Sequence, residues 1–294
     1  MLVDYLKKRA LQNGWQILIA DENISLAREK AAGSPFISAV YINVSDETSR
    51  ELLIQQAEVV ISMLPPTLHF LVAQSCIKAG RHLLTASYLD ENIRTLEDDI
   101  RSKGLLFLGE MGLDPGIDHM SAMRLIVGIR ARGGSIHSFI SHCGGLVAPE
   151  SDDNPWHYKI SWNPRNVVTA GKAGAIYKYQ RKIVRSDYHS LFDPDRHIAI
   201  PGHGLLSWYP NRNSLDYLSL YRLDDASTFI RTTLRHPDFI LGWKKIVELR
   251  LTDETAEHQT DNLSFRTFFQ DHLSRMGLKD NFSLTDIENR LLSF

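Results

Sequence analysis

Apolar residues recur along the first hundred positions with two alternating spacings, and this pattern predicts helices alternating with short strands. Leu2, Tyr5, Leu6 and Ala10 share one face of a first helix, which Asn13 and Gly14 would end. Continuous apolar runs predict strands at 15–20, 37–44, 59–64, 82–86 and 105–108, with helices at 24–32, 46–56, 65–80 and 90–103 between them. Strands of this kind, separated by helices, are typical of a parallel sheet that is covered on both faces.

This predicted sheet lacks one strand at its centre. A Rossmann-like, dinucleotide-binding α/β sheet begins with a strand, a Gly-rich turn and a helix, in strand order 3-2-1-4-5-6. The chain begins within the helix, so the strands at Trp15 and Val59 would lie roughly 9–10 Å apart. Unpaired backbone groups in a core are costly. We therefore expect that the first strand is missing from the sequence; the alternative is a fold that never had it.

The spacing of apolar residues changes near Ser121, and it predicts a second domain of α+β type. A helix at 122–132 precedes strand-like runs at 136–142, 182–184, 198–200, 218–221 and 229–234. The residues from 237 onward are mostly helical in pattern, with amphipathic stretches at 261–269 and 283–292. We expect a dinucleotide-binding domain at 1–118 and a substrate-binding domain at 119–294, in which 253–294 starts a helical subdomain.

Composition narrows the function classes. The 294 residues are 43% hydrophobic, enough for a sizeable core, and a net charge of −2 argues against nucleic acid as a partner. No run of 18 apolar residues predicts a membrane span, and two cysteines make no disulfide framework. The twelve histidines are scattered without metal-ligand spacing, so we predict no metal site. We expect a cytoplasmic protein.

The segment 113–120, Leu-Asp-Pro-Gly-Ile-Asp-His-Met, carries the most informative pattern. A Pro-Gly turn there would direct Asp114 and backbone N–H groups beyond the strand ends, where ligands bind in open α/β sheets. Two further segments follow, Ser-His-Cys-Gly-Gly-Leu at 141–146 and Ala-Pro-Glu-Ser-Asp-Asp-Asn-Pro at 148–155. Together these segments resemble the saccharopine dehydrogenase family, specifically its glutamate-forming branch, from about Leu2 to at least Thr252.

The resemblance implies an oxidoreductase of lysine metabolism. Such an enzyme reversibly reduces the imine of 2-aminoadipate 6-semialdehyde and L-glutamate to saccharopine, with NADP or NAD as cofactor. Its partner would be a small amino-acid substrate, and the resemblance leaves a homodimer open. One alternative is a related imine reductase such as carboxynorspermidine synthase. The other is a non-catalytic remnant, because a missing Gly-rich loop would remove the cradle for the pyrophosphate.

The candidate cofactor-binding residues follow the predicted strands. Asp21 sits where a carboxylate would bind a free ribose 2′-hydroxyl and repel a 2′-phosphate, which favours NAD; alternatively, Asp21 or Asn23 caps the next helix. The segment 62–67 resembles the family's strand-to-loop segment along the dinucleotide, and Ser161-Trp162 resembles a segment near the nicotinamide. The full set of expected cofactor contacts is Asp21, Asn43, Val44, Leu64, Pro65, Leu113, Pro115, Gly116 and Ser161.

The candidate substrate-binding residues carry hydroxyl, carboxylate, thiol and guanidinium groups. Ser87 and Tyr88 follow a strand and could hold a substrate carboxylate or amine, although Ser87 could instead cap a helix. Asp114 could bind an ammonium or shuttle a proton as the catalytic residue, or only shape its turn. Cys143 could touch substrate or be a buried small hydrophobe.

Arginine side chains are expected to bind the three carboxylates of saccharopine. Guanidinium groups match carboxylates bidentately, and the resemblance assigns this role to Arg212 and further contacts to Thr233, Leu234 and Arg235. The alternative for both arginines is surface salt bridging.

Overall fold

The computed structural model describes residues 2–161, 164–255, 258–278 and 285, and the chain divides into two compact units, Met1–His119 and Met120–Phe294. The strands are β1 Ile17–Asp21, β2 Ile37–Tyr41, β3 Val59–Ser62, β4 His82–Thr85, β5 Phe107–Leu108, β6 Ser138–Cys143, β7 Ala175–Tyr179, β8 Lys182–Ser186, β9 His197–Ile200, β10 Gly204–Pro210 and β11 Thr228–Arg235. The helices are α1 Leu2–Asn13, α2 Ile24–Ala31, α3 Glu47–Ile54, α4 His69–Ala79, α5 Glu91–Arg94, α6 Glu97–Ser102, α7 Ile117–Ala131, α8 Pro164–Val168, α9 Tyr188–Leu191, α10 Pro237–Glu248 and α11 Phe265–Arg275. Within these residues, no helix combines the length and the apolar character that a bilayer-crossing segment needs.

The N-terminal unit contains parallel strands in two separate sheets. One sheet pairs β1 with β2, and the other has the order β3-β4-β5. This confirms the predicted α/β alternation. Among the described residues β1 and β3 do not pair with each other, so the parallel strands are interrupted where the sequence predicts a gap.

Helix α4 packs its apolar face on the second sheet and forms the core of this unit. Val72, Ala73 and Cys76 are at most 4% exposed and lie in one cluster with Val44 and Leu83. Burying a side chain of this size stabilises a fold by about 1.5–3 kcal/mol. The helix ends at Gly80, whose φ of 68° is left-handed and suits glycine.

The C-terminal unit is built around an antiparallel sheet with the order β8-β7-β11-β10-β9, and β6 adds to β11 in parallel. Strand β11 is buried along most of its length. Helix α10 packs Phe239 and Ile240 into a core cluster with Leu191, Phe192 and Tyr209. The predicted α+β class is therefore confirmed.

Several predicted elements were wrong in detail. The helix predicted at 90–103 is split into α5 and α6, because the Thr95 hydroxyl donates to the Asn92 carbonyl over 2.6 Å and competes with helix continuation. Residues 218–221 form turns after a 3₁₀ helix at Ser214–Tyr217, not a strand. Strands β7 and β10 were missed, and α7 begins five residues before its predicted start. The predicted stretch at 283–292 lies outside the described residues, apart from residue 285.

Candidate functional site

The predicted Pro-Gly turn is present in the N-terminal unit, and its backbone closes on itself. The N–H of Gly112 donates to the Pro115 carbonyl over 2.9 Å, and the N–H of Ile117 donates to the Gly112 carbonyl over 3.0 Å. Gly116 has a φ of 145°, and a Cβ at this position would lie 2.1 Å from the Gly112 oxygen. The turn therefore needs glycine at position 116.

This turn brings two of the predicted substrate-binding residues into direct contact. The Tyr88 hydroxyl donates to Oδ1 of Asp114 over 2.8 Å. The backbone fixes the two segments, since Glu110 N–H donates to the Ser87 carbonyl over 2.9 Å. Ser87, Tyr88 and Asp114 thus form one polar group at the carboxyl end of β4. The side chain of Asp114 is half-buried.

His69 is a member of this group that the sequence analysis did not single out. It is 2% exposed, its Nδ1 lies 2.9 Å from the Ser62 hydroxyl, and its Nε2 lies 2.8 Å from the Ser87 hydroxyl. Burial lowers the pKa of His69 and favours the neutral imidazole. In the sequence, only the position of His69 at the start of the helix after Pro65-Pro66 could have indicated that it belongs to this group. Ser87 is held by His69 and does not cap α5, whose N-cap is Asp90.

Asp21 ends β1 and is exposed, as a ribose-binding carboxylate must be. Its Oδ1 accepts the Asn23 N–H over 2.7 Å, and Asn23 rather than Asp21 caps α2 through the Leu26 N–H. Asn43 follows the neighbouring strand β2 and is also exposed, whereas the adjacent Val44 is buried in the core. The register pairs Asp21 with Tyr41, so both candidate segments leave the same end of this sheet.

The other candidate cofactor residues differ in exposure. Pro65 and Leu113 are exposed, Leu64 is half-buried, and Pro115 and Gly116 are buried in the turn. For Leu64 and Pro65, in the segment 62–67, the backbone rather than the side chains is expected to contact the dinucleotide. Ser161 belongs to the C-terminal unit, where it is exposed and lies in no helix or strand. Its neighbour Trp162 lies outside the described residues.

In the C-terminal unit, the parallel pairing of β6 and β11 brings four predicted residues together. Cys143 is the register partner of Thr233, with Leu234 and Arg235 directly following. A Cβ on Gly144 would lie 2.3 Å from the Leu234 carbonyl oxygen, so glycine allows this close approach. Cys143 is half-buried and forms no disulfide with Cys76.

Of the predicted substrate-binding residues, Arg235 has the environment that most clearly favours binding of a carboxylate. The side chain is only 6% exposed, its guanidinium lies over the rings of Tyr158 and Phe239 at 4.8 and 5.4 Å, and it donates to the Leu234 carbonyl over 2.8 Å. Its Nε is buried without a hydrogen-bond partner among the described residues. A buried guanidinium that no carboxylate of the described chain neutralises is suited to a bound carboxylate.

Arg212 is exposed and lies in the turn after β10, with a left-handed φ of 50°. Its carbonyl accepts the Ile176 N–H over 2.9 Å, which ties the turn to β7. The register places Arg235 opposite Ser207, five residues before Arg212 along the chain. The pairing therefore does not bring Arg212 beside Arg235.

Comparison with family models relates both units to the same protein family. Residues 1–108 match the family model of the saccharopine dehydrogenase NADP binding domain, and residues 112–291 match that of the saccharopine dehydrogenase C-terminal domain. The structure aligns with apo saccharopine dehydrogenase (L-Glu forming) from Saccharomyces cerevisiae at a TM-score of 0.82 and 30% identity, covering 99% of this chain and 67% of that one.

Two curated relatives share more than a third of the aligned residues. Saccharopine dehydrogenase [NADP(+), L-glutamate-forming] of Schizosaccharomyces pombe is 35% identical over 87% of this chain and 56% of its own length. Alpha-aminoadipic semialdehyde synthase of Arabidopsis thaliana is 37% identical over 90% of this chain and 25% of its own length. The chain thus spans about half the length of the fungal relative and a quarter of the plant one. On these matches, the chain belongs to the saccharopine dehydrogenase family.

Proposed function

We propose that the chain acts as a saccharopine dehydrogenase of the L-glutamate-forming type, an oxidoreductase on C–N bonds in lysine metabolism. The observation that carries the proposal is the buried guanidinium of Arg235, which pairs with no carboxylate among the described residues, in a member of this family. The names of the fungal relatives supply the substrate and the reaction.

In this reaction the amine of glutamate and the aldehyde of 2-aminoadipate 6-semialdehyde condense to an imine. A reduced nicotinamide supplies hydride to the imine carbon, and the product is saccharopine. Arg235 would hold one substrate carboxylate, with Thr233 and Cys143 beside it, and Arg212 would bind another. Asp114, oriented by Tyr88, would hold a proton or an ammonium group.

Two observations bear on the cofactor. The N-terminal match is to an NADP binding domain, and the fungal relatives are named for NADP(+). The exposed carboxylate of Asp21 at the end of β1 favours NAD(H) instead, because it would repel a 2′-phosphate. We propose a nicotinamide dinucleotide cofactor, NADP or NAD, held by the segments that follow the parallel strands.

The test is saccharopine-dependent reduction of NADP⁺ and of NAD⁺ by the purified chain, followed by nicotinamide absorbance. In the imine-forming direction, glutamate should be required, and a diamine in its place should give no turnover. Turnover with the diamine alone would favour a carboxynorspermidine-type enzyme. Binding of neither dinucleotide nor saccharopine would favour the non-catalytic alternative, which the interruption between β1 and β3 supports.

Cellular location and assembly are further parts of the proposal. Cys76 and Cys143 form no disulfide with each other, which is compatible with a reducing compartment such as the cytoplasm. Fractionation of cells that express the protein would test this. The homodimer stays a prediction, and light scattering on the purified chain would test it.

A further inference from the structure

Three side chains far apart in the sequence meet at the start of α10 in the C-terminal unit. Nε2 of His157 lies 3.5 Å from Oδ2 of Asp238, and Nδ1 of His236 lies 3.4 Å from the same oxygen. The two imidazole rings are 3.8 Å apart between centroids. One ligand atom from each residue lies within 4.8 Å of the others, and all three residues are half-buried. Two imidazoles and one carboxylate are thus grouped at a partly exposed position, called the pocket below.

The two nitrogen–oxygen distances suit a metal ion better than hydrogen bonds. Two imidazoles on one tetrahedral ion have centroids roughly 5 Å apart, so the rings, now 3.8 Å apart, would separate on binding. Metal–ligand bonds of about 2.0–2.1 Å in a tetrahedral site place neighbouring ligand atoms roughly 3.3–3.4 Å apart. Nitrogen–oxygen hydrogen bonds are usually about 2.7–3.2 Å long. The separations of 3.5 and 3.4 Å match the first range closely and exceed the second. The N–H of Asp238 also contacts Nδ1 of His236 over 3.4 Å, a long contact that a bound ion would replace.

The surrounding structure already fixes both histidines. His157 has a left-handed φ of 47°, and its N–H donates to the Asn154 carbonyl over 3.0 Å. Oδ2 of Asp152 lies 2.6 Å from Nδ1 of His157, which leaves Nε2 free to act as the ligand. Such a carboxylate behind a histidine is the usual outer-shell partner of a metal ligand. His236 is the N-cap residue of α10, directly before Pro237, so its backbone position is set by the start of the helix.

The charge balance of the pocket is also favourable. The N-terminus of α10 carries positive partial charge and by itself would disfavour a cation. Asp152 and Asp238 each bring a carboxylate to the same pocket, at 2.6 and 3.5 Å from the His157 imidazole. Two carboxylates against about half a positive charge from the helix leave the pocket net negative.

We propose that His157, His236 and Asp238 form a binding site for a single transition-metal ion, with Zn²⁺ as the preferred ion. Two imidazole donors favour Zn²⁺, which binds nitrogen and carboxylate ligands, over Mg²⁺, which prefers an all-oxygen shell. Three protein ligands leave one position for water. The bound ion would join the segment around His157 to the start of α10 and so stabilise the C-terminal unit. The proposal does not rest on the proposed dehydrogenase activity, although the cluster adjoins Arg235 in the sequence.

The test uses the full chain with its affinity tag removed and its metals stripped by chelator. Zn²⁺ is titrated by calorimetry, and thermal unfolding is measured with and without Zn²⁺. We expect one site per chain and a higher unfolding temperature with Zn²⁺, and no response to Mg²⁺. His157→Asn and His236→Asn should each weaken Zn²⁺ binding at least about tenfold. His203→Ala, at an exposed turn elsewhere in this unit, is the matched control and should bind as the unmodified chain does.

The asparagine variants are chosen so that folding is preserved. Asparagine tolerates the left-handed conformation at position 157 and is a good N-cap at position 236. Asp238→Asn provides a third variant that removes only the charge of the carboxylate. Absence of Zn²⁺ binding by the unmodified chain would overturn the proposal. Equal affinity and stoichiometry in the three variants would also overturn it, because the ion would then sit elsewhere.

Discussion

Gly144→Ala should destabilise the C-terminal unit, because the new methyl group has no room beside β11. A Cβ at position 144 would lie 2.3 Å from the carbonyl oxygen of Leu234 and 2.9 Å from its nitrogen. To remove this steric clash, the backbones of β6 and β11 must separate by roughly 1 Å. Overpacking of this kind costs about 1–3 kcal/mol of stability. Fewer unfolded conformations for alanine offset about 0.4–1 kcal/mol of this.

Gly145→Ala is the matched control at the next position. A Cβ there would meet no atom within 4 Å, so its only expected effect is a neutral or slightly stabilising change of up to about 1 kcal/mol. A comparison of the two variants removes the general effect of replacing glycine by alanine. What remains is the cost of the contact with Leu234.

Urea denaturation followed by tryptophan fluorescence suits this comparison. Trp208 is the register partner of Leu234 on β10, so it lies beside the perturbed contact. Relative to Gly145→Ala, Gly144→Ala should lower the free energy of unfolding by roughly 1–3 kcal/mol, and each kcal/mol should lower Tm by about 2–4 °C. A variant as stable as Gly145→Ala would show that β6 and β11 are not packed this closely, and the reasoning would be refuted.

Four other changes test the candidate site and its environment. Arg235→Gln should raise the KM for saccharopine roughly 10- to 140-fold, since a lost charged hydrogen bond costs about 1.5–3 kcal/mol, while calorimetry should show unchanged nucleotide affinity; an unaltered KM would contradict the assignment. Asp21→Ser should raise kcat/KM with NADP(H) relative to NAD(H), because the repulsion of the 2′-phosphate is removed; a strong preference of the unmodified enzyme for NADP(H) would leave Asp21 as a turn residue. Tyr88→Phe removes the 2.8 Å hydrogen bond to Asp114 and should lower kcat/KM about tenfold, with a fully active variant as the contrary result. Burial lowers the pKa of His69 below its ordinary 6.5, so the unfolded chain takes up a proton that the folded chain does not; urea denaturation should therefore show stability falling below about pH 6.5, and less steeply in His69→Gln.

The parallel part of the fold was predictable because its signals are local. Short apolar runs mark the strands Val59–Ser62 and His82–Thr85. The expected cover on both faces was wrong for the first of them, since Val59 and Ile61 are exposed. Glycines mark several element ends, and Gly80 does so with the left-handed φ that other residues rarely adopt. Predicted and observed boundaries of β3 and β4 accordingly differ by two residues or fewer.

The antiparallel sheet was harder to predict because its strands depend on distant partners. Strand β10 begins at a glycine and ends at Pro210, both of which suggest a turn. Residues 218–221 have the alternation of a strand, yet Tyr221 packs against Phe229 at 5.7 Å from within a turn. Tyr221 faces the core without strand pairing, whereas Leu220 is exposed. The spacing of apolar residues alone does not distinguish a paired strand from a turn that packs an apolar side chain on the core.

Site residues were predictable where they belong to a sequence motif, and unpredictable where their role depends on burial in the folded chain. The Pro-Gly segment indicated Asp114, and its contact with Tyr88 follows from the strand order. Nothing in the sequence indicates that Arg235 is buried, since arginine is rarely buried unless paired. The sequence does not indicate the role of His69 either, because that role depends on contacts with Ser62 and Ser87 from two other segments.

The histidine and aspartate cluster shows why spacing rules miss such sites. Spacing rules detect ligands that share one helix or one tight turn, where a few residues set the geometry. Here His236 and Asp238 are close in sequence, but His157 reaches them only because the segment after β6 returns to the start of α10. The proposed metal site is therefore a property of the folded C-terminal unit. A chain unfolded in urea should lose its Zn²⁺ affinity together with its tertiary structure, and binding that survives unfolding would place the ion on ligands that do not require the fold.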